Sequence, residues 1–120
     1  MSLYKQEFGQ NFDLGFDLKD HPYLIDKSWH NDQCPSFYLK VGEQYYLLWV
    51  DYADIEQREE ETPRYVIVEA INEGTNEEPE IYAGDGAITF ECENYAGLKL
   101  FLDSLLSQNQ SNQNQFNVWE

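Results

Sequence analysis

The sequence predicts an α+β domain in which an antiparallel, hairpin-rich sheet of about five to seven strands carries one main amphipathic helix near the C-terminus. Three observations carry that prediction. The runs "SFYLKV", "QYYLLWV" and "PRYVIVEAI" are dense in β-branched and aromatic residues and are bounded by Gly, Pro or charged residues. Tyr95, Leu98, Leu102, Leu105 and Leu106 follow helical spacing instead. A length of 120 residues suits one core rather than two. Residues 1–107 therefore read as a single domain, and 108–120 as a polar linker and tail open to docking as an edge strand.

Taken in order, Lys5 to Leu18 alternates, with Phe12, Leu14, Phe16 and Leu18 two residues apart and Asp13 and Asp17 between them. This pattern predicts a strand. "HPYLIDKSWHND" reads as irregular or shortly helical, with Pro22 near a first turn. Gly42-Glu43 is a two-residue loop with Gly first, which suits a type II′ hairpin. Tyr45 to Tyr52 is apolar or aromatic at both parities, so it is expected to be a central strand covered on both faces. Pro63 opens the next strand, and Asp54–Thr62 between them is a charged excursion. Asn94 stands where a helix N-cap belongs, which predicts a helix from about Asn94 to Ser107.

Composition narrows the function. Leu, Ile, Val and Phe make up 30 of the 120 residues and aromatics 16%, enough to fold despite a net charge of −16. No apolar run approaches the roughly 18 residues of a membrane span, and the start of the chain has neither the basic residues nor the apolar block of a signal peptide. The reading is cytoplasmic. Cys34 and Cys92 are expected as two reduced thiols rather than a bridge. At this charge, long-range association with nucleic acid or an anionic membrane is disfavoured.

Catalytic motifs are thin, and no enzyme is expected. His30, Asp32 and Cys34 in "HNDQC" match none of the strong zinc spacings. "AGDG" lacks the further acids of a calcium loop, and neither a phosphate-cradling glycine loop nor a nucleophile elbow occurs. A Mg²⁺-dependent nuclease would need cations for its substrate, and the chain has only seven Lys plus Arg. No cofactor is implied.

The placement of charge is more informative. Residues 51–93 hold fourteen carboxylates against Arg58 and Arg64, so 43 residues carry −12 of the total. Acidity that serves solubility should be dispersed, whereas acidity that serves recognition should be concentrated and ordered. Acids recur two residues apart at Asp54/Glu56, Glu59/Glu61, Glu78/Glu80 and Glu91/Glu93. A type I′ turn at Asp85-Gly86 would pair Ile81 with Phe90 and Glu80 with Glu91, setting Glu78, Glu80, Glu91 and Glu93 in a two-by-two array on one face. Opposed like charges cost a sheet stability, so such an array would be chosen for something else. The bland alternative is an ordinary solvated face. The candidate partner-binding residues are Asp51, Asp54, Glu56, Glu59, Glu60, Glu61, Glu77, Glu78, Glu80, Glu91 and Glu93.

In size, charge and acidic rows the chain resembles the acidic DNA-mimic proteins of bacteria and phage, especially the neisserial kind that binds the histone-like protein HU. These proteins share overall character and no sequence motif. The resemblance implies a monomeric, non-enzymatic inhibitor whose acidic surface occupies the DNA-binding surface of a basic nucleoid or other DNA-binding protein. It touches no nucleic acid itself. The tail "SQNQSNQNQFNVWE" has no counterpart in that pattern. An alternative with the same electrostatics is an immunity protein that neutralises a basic nuclease toxin, adding aromatic anchors drawn from Tyr52, Tyr65 and Tyr82. Packing within the sheet is the competing role for those tyrosines.

Overall fold

The Gly42-Glu43 step turns the chain as its chemistry requires. Gly42 has φ +61° while, among the described residues, no non-glycine residue has positive φ, the pattern of a type II′ turn. The computed structural model that shows this describes residues 3–29, 32–83 and 87–118, the stretch 108–118 by backbone alone. The elements are α1 (Leu3–Phe8), β1 (Ile25–Asp26), β2 (Ser36–Val41), β3 (Gln44–Val50), β4 (Tyr65–Asn72), β5 (Ile81–Tyr82), β6 (Ile88–Cys92) and α2 (Tyr95–Val118). The six strands form one antiparallel sheet in the order β1-β2-β3-β4-β5, with β6 also on β4. The fold is α+β, as the residue patterns indicate. No described helix is long and apolar enough to cross a membrane.

Register sorts the side chains between two unlike faces. Pairing of Leu39 with Tyr46, Leu48 with Ile67 and Val50 with Tyr65 sets Phe37, Leu39, Leu48, Val50, Tyr65 and Ile67 on one face. Each of them is no more than 1% exposed. Leu98 and Leu102 of α2 close over that face at 0% exposure, where each buried leucine contributes about 1.5–3 kcal/mol. The opposite face gathers Leu47, Val68, Ala70 and Ile81 with Tyr38, Tyr45 and Val66 partly buried around them. Among the described residues no helix packs on that cluster, yet Leu47 is 1% exposed there and no residue of β3 is fully exposed. β3 is therefore central and covered on both faces as expected, by α2 on one and by residues of neighbouring strands on the other.

Three other expectations are corrected. Lys5–Leu18 is no strand: α1 is followed by irregular chain and a 3-10 turn at Leu18–Asp20. Asp13 Oδ1 accepts from the Gly15 amide at 2.8 Å and Asp17 Oδ1 from the Lys19 amide at 2.9 Å, local bonds that compete with a ladder. The alternation did mark inward residues, since Leu14 is buried and Phe12, Phe16 and Leu18 pack against the core. The Tyr65 hydroxyl donates to the Leu14 carbonyl at 2.6 Å, and at Gly15, φ +84°, a Cβ would collide with that hydroxyl.

The hairpin of Ile81 with Phe90 does not form. β5 and β6 both run antiparallel to β4, pairing Ile71 with Tyr82 and then Val68 with Ile88 and Ile67 with Phe90. They are successive parts of one line of chain along β4. The register shifts between Ile67 and Val68, where Thr89 is the extra residue of a bulge, and the Glu69 amide donates to Ala87 O at 3.2 Å. The Asp85-Gly86 step itself lies outside the described residues. The actual reversal is at 73–80, where Glu73 N donates to Glu80 O at 2.9 Å. Third, α2 continues by its backbone to Val118, past the expected end at Ser107 and through the stretch read as a linker. After Gly97 the chain holds no Gly or Pro to stop a helix, and Gln is a fair helix former.

Beneath the start of α2, His21 is buried between two phenols, its Nδ1 2.6 Å from the Tyr23 hydroxyl and its Nε2 2.8 Å from that of Tyr95. Burial holds its pKa below the ordinary 6.5, against the opposing charges of Asp20 and Asp103.

Candidate functional site

The acidic stretch folds into two loops that leave opposite ends of β4. The first, residues 51–62, is built around one guanidinium. Asp54 Oδ1 accepts from the Glu56 amide at 3.0 Å and so caps a 3-10 turn at Ile55–Gln57, which brings Arg58 inward. Arg58 donates from Nε to Tyr52 O at 2.7 Å, from Nη1 to Thr62 O at 3.1 Å and from Nη2 to Ala53 O at 3.4 Å. Its remaining two N–H groups meet Glu93 as a fork, at 2.9 Å to Oε1 and 2.7 Å to Oε2. All five guanidinium donors are thus engaged, and the side chain is 2% exposed. The hydrogen bond to Glu93 raises the Arg58 pKa, and the same bond holds the Glu93 carboxyl below its usual range.

The second loop, 73–80, is also acidic but has a neutral scaffold. Asn72 Oδ1 accepts from the amides of Gly74 and Glu80, both at 2.9 Å, while its Nδ2 donates to Thr75 O at 3.2 Å. Thr75 Oγ1 in turn accepts from the Glu78 amide at 2.8 Å. β4 has eight residues, which sets the loops about 23 Å apart along it, well beyond a Debye length of about 8 Å.

Of the eleven acids expected to bind a partner, ten are exposed: Asp54, Glu56, Glu59, Glu60 and Glu61 on the first loop, Glu77, Glu78 and Glu80 on the second, and Glu91 and Glu93 at the end of β6. Asp51 is the exception at 7% exposure. The two-by-two array is absent, because Glu91 lies opposite Val66 and Glu93 is held by Arg58. Glu69 and Glu73 are further exposed acids that no spacing singled out. The only cations of residues 51–93, Arg58 and Arg64, have side chains 2% and 13% exposed. Arg64 donates to Asp13 O at 2.6 Å and lies over the Tyr65 ring. The charge that this stretch turns outward is therefore nearly all carboxylate. Among the tyrosines, Tyr65 is core, Tyr52 packs on Phe12 and Tyr82 is 52% exposed.

Beside the first loop, the open face of the sheet holds a groove of about 430 Å³. Trp49, Val66, Val68 and Ile88 give it an apolar floor, and Asp32, Asp51 and Glu60 stand in its walls. Sequence reasoning missed it, since it needs the pairing of Trp49 with Val66 and Val68 with Ile88 to exist. Burial first, and then the charges of Asp51, Asp32 and Glu59, push the Cys34 thiol in its wall up to about 12, so that thiol stays protonated and unreactive. Cys34 and Cys92 are both free. Among the described residues no three His, Cys, Asp or Glu side chains cluster as metal ligands, and His30 lies outside them. No protein-family model, curated protein or solved structure matches this chain.

Proposed function

We propose that the protein binds, without catalysis, the basic DNA-contacting surface of a DNA-binding protein of the histone-like HU type and so keeps DNA from it. One observation carries this reading: ten of the eleven candidate acids face solvent while both cations of the same stretch are turned inward. An undiluted negative field attracts the Lys and Arg rows that otherwise release counterions from duplex DNA, and it repels DNA itself. The Arg58 clamp favours the reading further, since a preorganised loop loses less entropy on binding. The protein acts as a monomer in the cytoplasm. The test is displacement: purified HU holding a labelled duplex should release it as the protein is added, without a ternary complex. Retention of the duplex at saturating protein would overturn the proposal.

A second reading, an immunity protein for a basic nuclease toxin, is favoured by the groove floored with Trp49, because such interfaces add aromatic anchors to charge. Tight binding to a nuclease domain and none to HU would select it.

A further inference from the structure

The geometry points to the groove on the open sheet face as the anchor site for a single arginine side chain of the basic partner, a proposal that rests on the reading of the partner as a basic protein. The apolar floor alone would suit any aliphatic group. Three features select a cation with a flat head. The Trp49 indole is half-buried in the floor, so one part of it is held by the sheet while the rest borders the groove, and a guanidinium stacks on such a ring better than any other side-chain cation. Asp32 and Glu60 stand in the walls where an N–H fork would emerge. Asp51 is nine-tenths buried there, its Oδ1 accepting from the Tyr52 amide at 2.8 Å, and among the described residues no cation forms an ion pair with it.

Among the described residues the one cation that borders the groove does not fill this role, since the Arg64 head is engaged with Asp13 and the Tyr65 ring. Burial is the main cause of the raised pKa of the neighbouring Cys34 thiol, and the charges of Asp51 and Asp32 add to it. An arginine brings a three-carbon stem for Val66, Val68 and Ile88, a plane for Trp49 and a fork for the carboxylates. Lysine brings only the first of these and a point charge.

The test uses the full chain and the probe acetyl-glycyl-arginyl-glycinamide, followed by NMR at the Trp49 indole N–H and the methyls of Val66, Val68 and Ile88. The arginine peptide should move these signals, with lysine about threefold and citrulline about fivefold or more weaker. The variant Asp32→Asn/Glu60→Gln alters two side chains with no role in the core and should weaken the arginine peptide about threefold or more with the remaining spectrum unchanged. Equal affinity for arginine and citrulline peptides, equal affinity for lysine, or shifts confined to the 73–80 loop would each overturn the assignment. So would groove shifts that appear on concentrating the protein alone, which would make a second copy the occupant. The outcome is separable from the HU test: peptide binding without DNA displacement leaves the groove standing and removes the mimic, and the reverse pair of results does the opposite.

Discussion

The two acidic loops at either end of β4 carry similar charge on opposite kinds of support. The 51–62 loop hangs on an ion pair, with the five donors of Arg58 divided between three carbonyls and Glu93. The 73–80 loop hangs on neutral groups, Asn72 and Thr75. A dense run of carboxylates needs something to hold it against its own repulsion. A buried guanidinium does so by neutralising part of the charge, and an Asx-type scaffold does so without touching the charge. The first support should therefore respond to pH and the second should not.

The largest effect expected is from Arg58→Ala, which leaves three carbonyls and Glu93 without their donors and should cost about 2–3 kcal/mol in urea unfolding. Glu93 is 45% exposed, so water recovers part of its loss and the effect stays below that of a fully buried pair. A change within about 0.5 kcal/mol would mean that the clamp is decorative. Asn72→Ala should cost less, about 1–2 kcal/mol for amides of the 73–80 loop left unpaired, and faster amide exchange should be confined to that loop. Loosening at 51–62 in the same variant would join two regions that the structure separates.

The pH dependence separates the supports more finely. The folded Glu93 carboxyl lies below its ordinary 4.5, so its contribution is full above 4.5 and is lost as pH falls through the lower folded value. The difference in stability between wild type and Glu93→Gln should shrink over that window, while the cost of Asn72→Ala stays level. His21 follows the same sign at higher pH: its contribution is present above 6.5 and is lost as pH falls through its depressed value, when the imidazole must charge between Tyr23 and Tyr95. The smallest effect on stability is expected from Glu59/Glu60/Glu61→Gln and Glu77/Glu78/Glu80→Gln, each within about 0.5 kcal/mol of wild type or slightly above it.

How far the chain's own pattern reveals this arrangement depends on range. β2, the Gly42 turn, β3 and β4 were legible because each rests on local alternation and one glycine. The amphipathic face of α2 was legible for the same reason, from Leu98 and Leu102. Leu14 and Phe16 were wrongly read as strand, because their alternation marks burial while Asp13 and Asp17 decide the backbone. The 81–92 segment misled because Asp85-Gly86 is a strong local hairpin signal. It lost to the longer ladder offered by β4, which a single segment cannot display. Exposure of the acids was foreseeable from composition. The Arg58–Glu93 clamp spans 35 positions and the groove draws on four separate segments, so neither leaves a trace in local spacing.

The exposed carboxylates are proposed to act together in place of DNA phosphates, and the salt dependence of association with HU puts that proposal to the test. Association rates would be measured for wild type and for the two Gln triples at low and physiological ionic strength. Wild type should associate several-fold faster at low salt, because screening over about 8 Å at physiological ionic strength removes the steering. Each triple should lose part of that salt sensitivity, and the 59–61 set, on the loop clamped by Arg58, should account for the larger share. An association rate that is independent of salt and unchanged in both triples would contradict it.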